Sequence, residues 1–267
     1  MLIGFLGKHS CADCNMRHKV VALLLVVGLV LSFMAQAQEL NEPPEGFEAL
    51  FNGEDFTNWI VPEGDGGHWQ VVDGVIDYDA QSQAPGDKNL WTEEEFGDFV
   101  LRMDWRITET PFVNPGVPII KRDGTYKLDE NGNVISFPLP DSDSGIYLRG
   151  QPKAQVNIWT WPIGSGEVWG YRTDQSITPE QRAAVTPMTN ADNNIGEWNT
   201  FEITMEGDRL TVYLNDYLVI DNAELPGVAD TGRIALQHHG SKNEDGEWVS
   251  SPSLVQFRNI FIKHLDE

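Results

Sequence analysis

The chain has 267 residues, 40% of them hydrophobic, with 41 acidic against 18 basic side chains and a formal charge of −23. So acidic a chain repels nucleic acid and anionic membranes, which removes both from the expected partners. The length admits one large all-β domain as readily as two smaller ones.

In chain order, the first 37 residues read as a leader. The basic stretch MRHK at 16–19 precedes an apolar run, Val20 to Phe33, and then the small-x-small signal Ala35-Gln36-Ala37. This pattern predicts a signal peptide, with Met16 as the start and Gln38 as the first mature residue. The run falls short of the about 20 apolar residues that a membrane span needs, which leaves an uncleaved anchor as the lesser alternative. Both cysteines, Cys11 and Cys14, lie in the leader. Their C-x-x-C spacing has no second ligand pair to complete a zinc site. The mature chain, 38–267, therefore has neither disulfide nor thiol nucleophile, and its 15 bases against 40 acids leave a charge of −25.

Beyond the leader, strand patterns recur between turn signals, and one domain over 38–267 is expected. Residues 68–72 and 75–78 flank Asp73-Gly74, a hairpin turn. From Asp98 to Ile107, Phe99, Leu101, Met103, Trp105 and Ile107 alternate with Val100, Arg102, Asp104 and Arg106. Residues 109–141 form a long proline-rich segment, expected to be a lid or rim; DENGN at 129–133 reads as a hairpin turn, since it lacks EF-hand spacing. At 154–174 stands AQVNIWTWPIGSGEVWGYRTD. Alternation puts Gln155, Asn157 and Trp159 on one face of a strand, and Glu167, Trp169 and Tyr171 on one face of a second. Amides, indoles, a phenol and a carboxylate grip sugars. A helix is signalled only by Thr178 with Pro179 in the first turn. Strands are then expected over 200–205, 210–214, 217–220, 233–237 and 254–263. The fold class predicted is all-β, a sandwich of two antiparallel sheets with one short helix.

A series of phrases in order resembles the 3-keto-disaccharide hydrolase domain family: GFEALFNGEDFTNW at 46–59, WQVVDG at 69–74, FGDFVLR at 96–102, SGIYLR at 144–149, GEWN at 196–199, LQHHG at 236–240 and VQFRNI at 255–260. The resemblance spans nearly the whole mature chain. It implies a concanavalin A-like jelly roll, bacterial export to the periplasm or beyond, and cleavage of glycosides already oxidised to a ketone at C3. One strand departs from the pattern. Many members have a run resembling E-V-Q-I-L-D where this chain has QVNIWT at 155–160. Gln155 and Thr160 thus replace acids, which reopens the roles those acids would hold, metal ligation included.

Ordinary glycoside hydrolysis uses two flanking carboxylates, and amides at 155 and 157 cannot transfer a proton. A 3-keto sugar asks less. Its ketone acidifies the C2 proton, so one base can start an elimination that expels the C1 substituent, given donors for the enolate oxygen and an acid for the leaving group. His239 is the expected base because imidazole titrates near neutrality; a strand-end histidine is the alternative. Arg149 is expected either to brace the enolate or to pair with Asp141 or Asp143. Glu167 reads as the acid, or else as an exposed turn carboxylate. Gln155 and Asn157 fit hydroxyl recognition; Trp159, Trp169 and Tyr171 fit ring stacking, with at least one of them in the core. His238, Lys153 and Arg172 complete the expected binding set, each with a solvated alternative.

No metal ligand set is readable, although calcium or a similar divalent cation fits so acidic a chain. No dinucleotide or phosphate-loop fingerprint occurs, so a separate sugar 3-oxidoreductase is expected to supply an oligosaccharide or glycoside substrate. The reading from a different class is a non-catalytic carbohydrate-binding domain.

Overall fold

The computed structural model describes residues 40–265. The predicted leader, its cysteines and the cleavage signal lie outside these residues. Fifteen strands follow one another: β1 (Glu48–Ala49), β2 (Trp59–Ile60), β3 (Trp69–Val72), β4 (Val75–Asp79), β5 (Leu90–Phe96), β6 (Phe99–Ile107), β7 (Phe112–Pro118), β8 (Ser136–Asp141), β9 (Asp143–Leu148), β10 (Gln151–Trp159), β11 (Asn199–Glu206), β12 (Arg209–Leu214), β13 (Tyr217–Glu224), β14 (Gly232–Leu236) and β15 (Leu254–His264). Two short helices, α1 (Trp169–Arg172) and α2 (Pro179–Ala184), sit between β10 and β11.

The larger sheet runs β13-β12-β11-β6-β15-β4-β3, with β1 on the far part of β15; the smaller runs β10-β9-β14-β5-β2. All pairings are antiparallel. The inner faces interdigitate in a single core. Leu101, Met103, Trp105, Phe201 and Ile203 meet Ile146, Leu148, Val156, Ile158, Ile234 and Leu236 there. Strand β6 is buried at every second residue, as its alternation predicts. This is the jelly-roll sandwich expected from the sequence.

Turn chemistry fixes the registers. Asp73 and Gly74 both have positive φ, 50° and 77°, joining β3 to β4. The β9–β10 turn has the same form: Arg149 at 49° and Gly150 at 72°, with Gln151 opposite Leu148. Positive φ at both central residues is what a two-residue hairpin of matching twist requires.

The segment read as a rim is an arm. Strands β7 and β8 pair, and bridges Ile120–Tyr126 and Leu128–Val134 extend the ladder toward its tip. At the tip Asp129 accepts the amides of Asn131 and Asn133, both at 2.8 Å, which closes the expected turn.

The region after β10 corrects the predicted second strand. Residues 169–172 are helical. Gly170 lies against the backbone of Lys153, where a Cβ would stand 2.5 Å from the carbonyl oxygen, so only glycine lets α1 seat on β10. Helix α2 begins as expected, with Thr178 and Gln181 forming a reciprocal capping box behind Pro179.

Candidate functional site

The outer face of the five-stranded sheet forms the floor of a cleft of about 840 Å³. Alternation on β9 and β10 aims Asp143, Tyr147, Gln155, Asn157 and Trp159 at it, while their neighbours enter the core. Register does the rest. Gln155 stands opposite Tyr147, Asn157 opposite Gly145 and Trp159 opposite Asp143, and the Gln237 amide bonds the Gly145 carbonyl. Gly145 keeps the middle of the floor open. A Cβ there would lie 2.5 Å from Gln155 Nε2 and 2.9 Å from the Val156 carbonyl oxygen.

At one end of the cleft His239 meets Asp143. The His239 ring Nδ1 is 2.5 Å from the Ser251 carbonyl, which can only accept, so Nδ1 carries a proton and, in the neutral ring, Nε2 presents the lone pair. That Nε2 is 4.0 Å from Asp143 Oδ2. The His239 backbone is pinned as well, its amide donating to Ser253 Oγ at 2.6 Å. The Asp143 carboxyl has no hydrogen-bond partner among the described residues. Burial pushes it up to about 7, with His239 opposing the rise and Asp141 adding to it. A carboxyl poised there can donate a proton near neutrality, beside an imidazole nitrogen that can accept one.

Along the floor, Gln155 Nε2 donates to Gln237 Oε1 at 2.6 Å and to the Ser144 carbonyl at 3.2 Å. The Asn157 amide oxygen is buried without a partner. Indoles frame this surface. Trp159 is buried, but Trp161 stacks on it at 4.2 Å and 8° and presents its other side, while Trp169 stands half exposed at the rim. The arm contributes Phe112, Asn114 and Pro115. Asp141, at the end of the arm, ties the wall together. It accepts from Asn114 Nδ2 (2.8 Å), Thr160 Oγ1 (2.9 Å), Trp161 Nε1 (3.1 Å) and Ser251 Oγ (2.7 Å).

Of the expected site residues, the cleft gathers His239, Gln155, Asn157, Trp159, Trp169 and Lys153. The others are elsewhere. Arg149 sits in the β9–β10 turn, six residues from Asp143 along an extended strand and so roughly 20 Å away. Its guanidinium, 1% exposed, bonds the carbonyls of Gly97, Gly207 and Ala229 and pairs with Asp98 at 2.7 Å, neither Asp141 nor Asp143 being its partner. It braces a corner of the sandwich.

Glu167 is fully buried rather than exposed, beside edge strand β10, and its Oε1 lies 2.6 Å from Arg172 Nε. Burial pushes the Glu167 carboxyl up and Arg172 opposes the rise. That pair removes both Glu167 and Arg172 from the sugar-facing set. Tyr171, placed inward by α1, is core. His238, just past the end of β14, turns to the other side from His239 and shares a 2.6 Å hydrogen bond with Tyr78. Burial depresses its pKa to about 4. Lys153 lines the cleft but is already held by Asp174 at 2.6 Å and by the Tyr171 ring.

Sequence reasoning passed over Asp143, Tyr147 and Gln237 as site residues. The alternation of SGIYL did hold a signal, since Asp143, Gly145 and Tyr147 share the face that Gln155 and Asn157 complete.

Among the described residues no group of three His, Asp or Glu side chains converges on a point that could hold a metal ion. In the cleft a cation would find the His239–Asp143 pair and neutral amides.

A jelly roll whose smaller sheet carries amides, indoles and a histidine–aspartate pair presents side chains of the kind that hold sugars. Similar folds occur in crystal structures of two candidate glycosyl hydrolases from Parabacteroides distasonis. One is 21% identical, covering 83% of this chain and 85% of that one, with a TM-score of 0.53. The other is 20% identical, covering 85% of this chain and all of that one, with a TM-score of 0.52. Among curated proteins none matches this sequence. The profile of the 3-keto-alpha-glucoside-1,2-lyase-like domain matches residues 46–263, and the chain belongs to that family.

Proposed function

We propose that the cleft binds a 3-keto-glycoside and cleaves it by elimination. The observation that carries this reading is the His239–Asp143 pair, with the His239 tautomer fixed by the Ser251 carbonyl. His239 Nε2 takes the C2 proton, made acidic by the neighbouring ketone. The electrons of that C–H bond form the C1–C2 double bond, and the C1–O bond breaks with its pair on the leaving oxygen. Asp143, protonated near neutrality, supplies the proton which that oxygen needs. Water adding afterwards across the double bond makes the net outcome hydrolysis. Each proton transfer by a positioned group contributes about 10²–10⁴-fold.

In this reading the amides of Asn157, Gln155 and Gln237 take the sugar hydroxyls, and the Trp161 and Trp169 faces take the ring. No step calls for a carboxylate pair, which suits a floor of amides. The donor set in the cleft gives no reason to route a step through a divalent cation, and a chelator arm in the assay addresses that directly. The reading includes export from a bacterium and a separate sugar 3-oxidoreductase upstream, which makes the ketone this site consumes.

Aglycone release from a 3-keto-glucoside and from its unoxidised parent, with and without chelator, tests the proposal. Release from the keto form alone is expected, with His239→Ala slowed at least a hundredfold while still binding the sugar. Undiminished release by His239→Ala removes the histidine from the mechanism. The amide floor also favours a second reading, a non-catalytic sugar-binding domain, and binding without release from either substrate selects it.

A further inference from the structure

A second cavity opens at one end of the sandwich, between the two sheets. It measures about 480 Å³, within the range of small-ligand sites. The cleft lies on the outer face of the smaller sheet, whereas this pocket is floored by Trp105 and Ile107 of β6, on the inner face of the larger one. The stacked pair Trp159–Trp161 is the wall between them and lines both. Leu139 and Pro140 of the arm close one side, and Ile195, 47% exposed, stands on the other.

Three polar groups on this lining are unmatched. Trp105 is 1% exposed, and no acceptor reaches its indole N–H; among the described residues it is the only buried side-chain donor in that condition. Leaving such a donor without an acceptor is costly, so native interiors rarely do it. Asn199 is also buried, and its orientation is unambiguous: Oδ1 accepts the backbone amide of Asn193 at 2.8 Å, which can only donate. Its NH2 group is therefore the free end, without a hydrogen-bond partner among the described residues but, unlike the Trp105 N–H, not fully enclosed. Asp192 uses Oδ2 to accept the Ser165 amide at 2.9 Å and keeps Oδ1 unbonded.

We infer that this pocket is a second carbohydrate subsite, taking one neutral pyranose ring. The lining offers the Asn199 NH2 as donor and Asp192 Oδ1 as acceptor between apolar and indole walls, with the unpaired Trp105 N–H enclosed behind them. Hydroxyls both donate and accept, so a sugar can answer both open groups, while its C–H face packs on the tryptophans. An anionic ligand would meet Asp192 and a strongly acidic chain. A purely apolar ligand would leave the Asn199 NH2 and the Asp192 oxygen unanswered. The subsite does not depend on the elimination chemistry proposed for the cleft.

The test follows the Trp105 indole N–H resonance of 15N-labelled protein, assigned through its side-chain couplings. The titrants are the methyl α- and β-pyranosides of glucose, galactose and mannose. A saturable shift with at least one of the six is expected, and it persists in a Gln155→Ala/His239→Ala protein whose cleft is disabled. Asp192→Ala is expected to weaken it about tenfold or more, and Ile195→Arg, a change at the exposed mouth that leaves the core intact, to do likewise. The inference is overturned if none of the six moves the resonance saturably, if the shift vanishes with the cleft residues, or if neither pocket variant weakens it. Aglycone release from the cleft is read separately, so either proposal can fail alone.

Discussion

Replacing Asp143 by Asn should make the protein more stable at pH 8 and leave it nearly unchanged at pH 4. Burial raises this carboxyl from 3.8 to about 7, so the native state holds its proton over a range where the unfolded chain has lost it. The native state therefore binds more protons, and stability falls as pH rises. The contribution is intact below about 3.8 and lost as pH climbs through about 7. Three units at about 1.36 kcal/mol each set a ceiling of roughly 4 kcal/mol. The carboxyl opens on the cleft and His239 favours its ionised form, so a gain of about 1–2 kcal/mol at pH 8 is the expected size. Asn keeps the shape and removes the ionisation. Urea unfolding of both proteins at pH 4, 6 and 8 measures the difference directly, because Glu167, which shifts in the same direction, is common to both. A difference independent of pH, or a variant less stable at pH 8, would refute the poised-carboxyl argument. The same change should cut keto-glycoside cleavage by at least a hundredfold if Asp143 is the acid.

Three further outcomes are expected. Arg149→Met should cost about 3–5 kcal/mol, because it leaves Asp98 and three carbonyls without their cation. At a temperature where that variant is still folded, its kcat should match the parent, which thermal melts and initial rates will show. Gly145→Ala should weaken sugar binding in the cleft at least tenfold by calorimetry, since its methyl group displaces Gln155 from Gln237. Finally, His238→Gln should remove part of the loss of stability below about pH 6, seen in acid titrations. Burial holds His238 near 4, so the unfolded chain binds the extra proton and stability drops as pH falls from its ordinary 6.5.

How far the sequence foretells these features depends on how local their causes are. The alternation of β6, the Asp73-Gly74 turn and the Thr178 cap are each set within ten residues, and each stands where expected. The Gln155–Asn157–Trp159 face was legible for the same reason. The stretch from Glu167 to Tyr171 also alternates, but there the period was accidental. What decides it is the close seat of Gly170 on Lys153, a tertiary contact. Arg149 and Glu167 looked available for chemistry because their partners are hidden by distance or conformation. Asp98, Gly207 and Ala229 reach Arg149 from three separate segments, and Glu167 meets Arg172 only because α1 is helical. Asp143 was passed over because its partner lies 96 positions on in the chain, beyond β14.

Asp141 ends with a role wider than its size. Its two oxygens hold the arm through Asn114, the indole wall through Thr160 and Trp161, and Ser251, the residue whose carbonyl sets the histidine tautomer. Arm, sugar platform and base thus share one fastening. An arm grafted from a relative, or a loop redesigned around residue 251, would have to reproduce that carboxylate and its four donors together. The arm and the base are, in this chain, a single engineering unit.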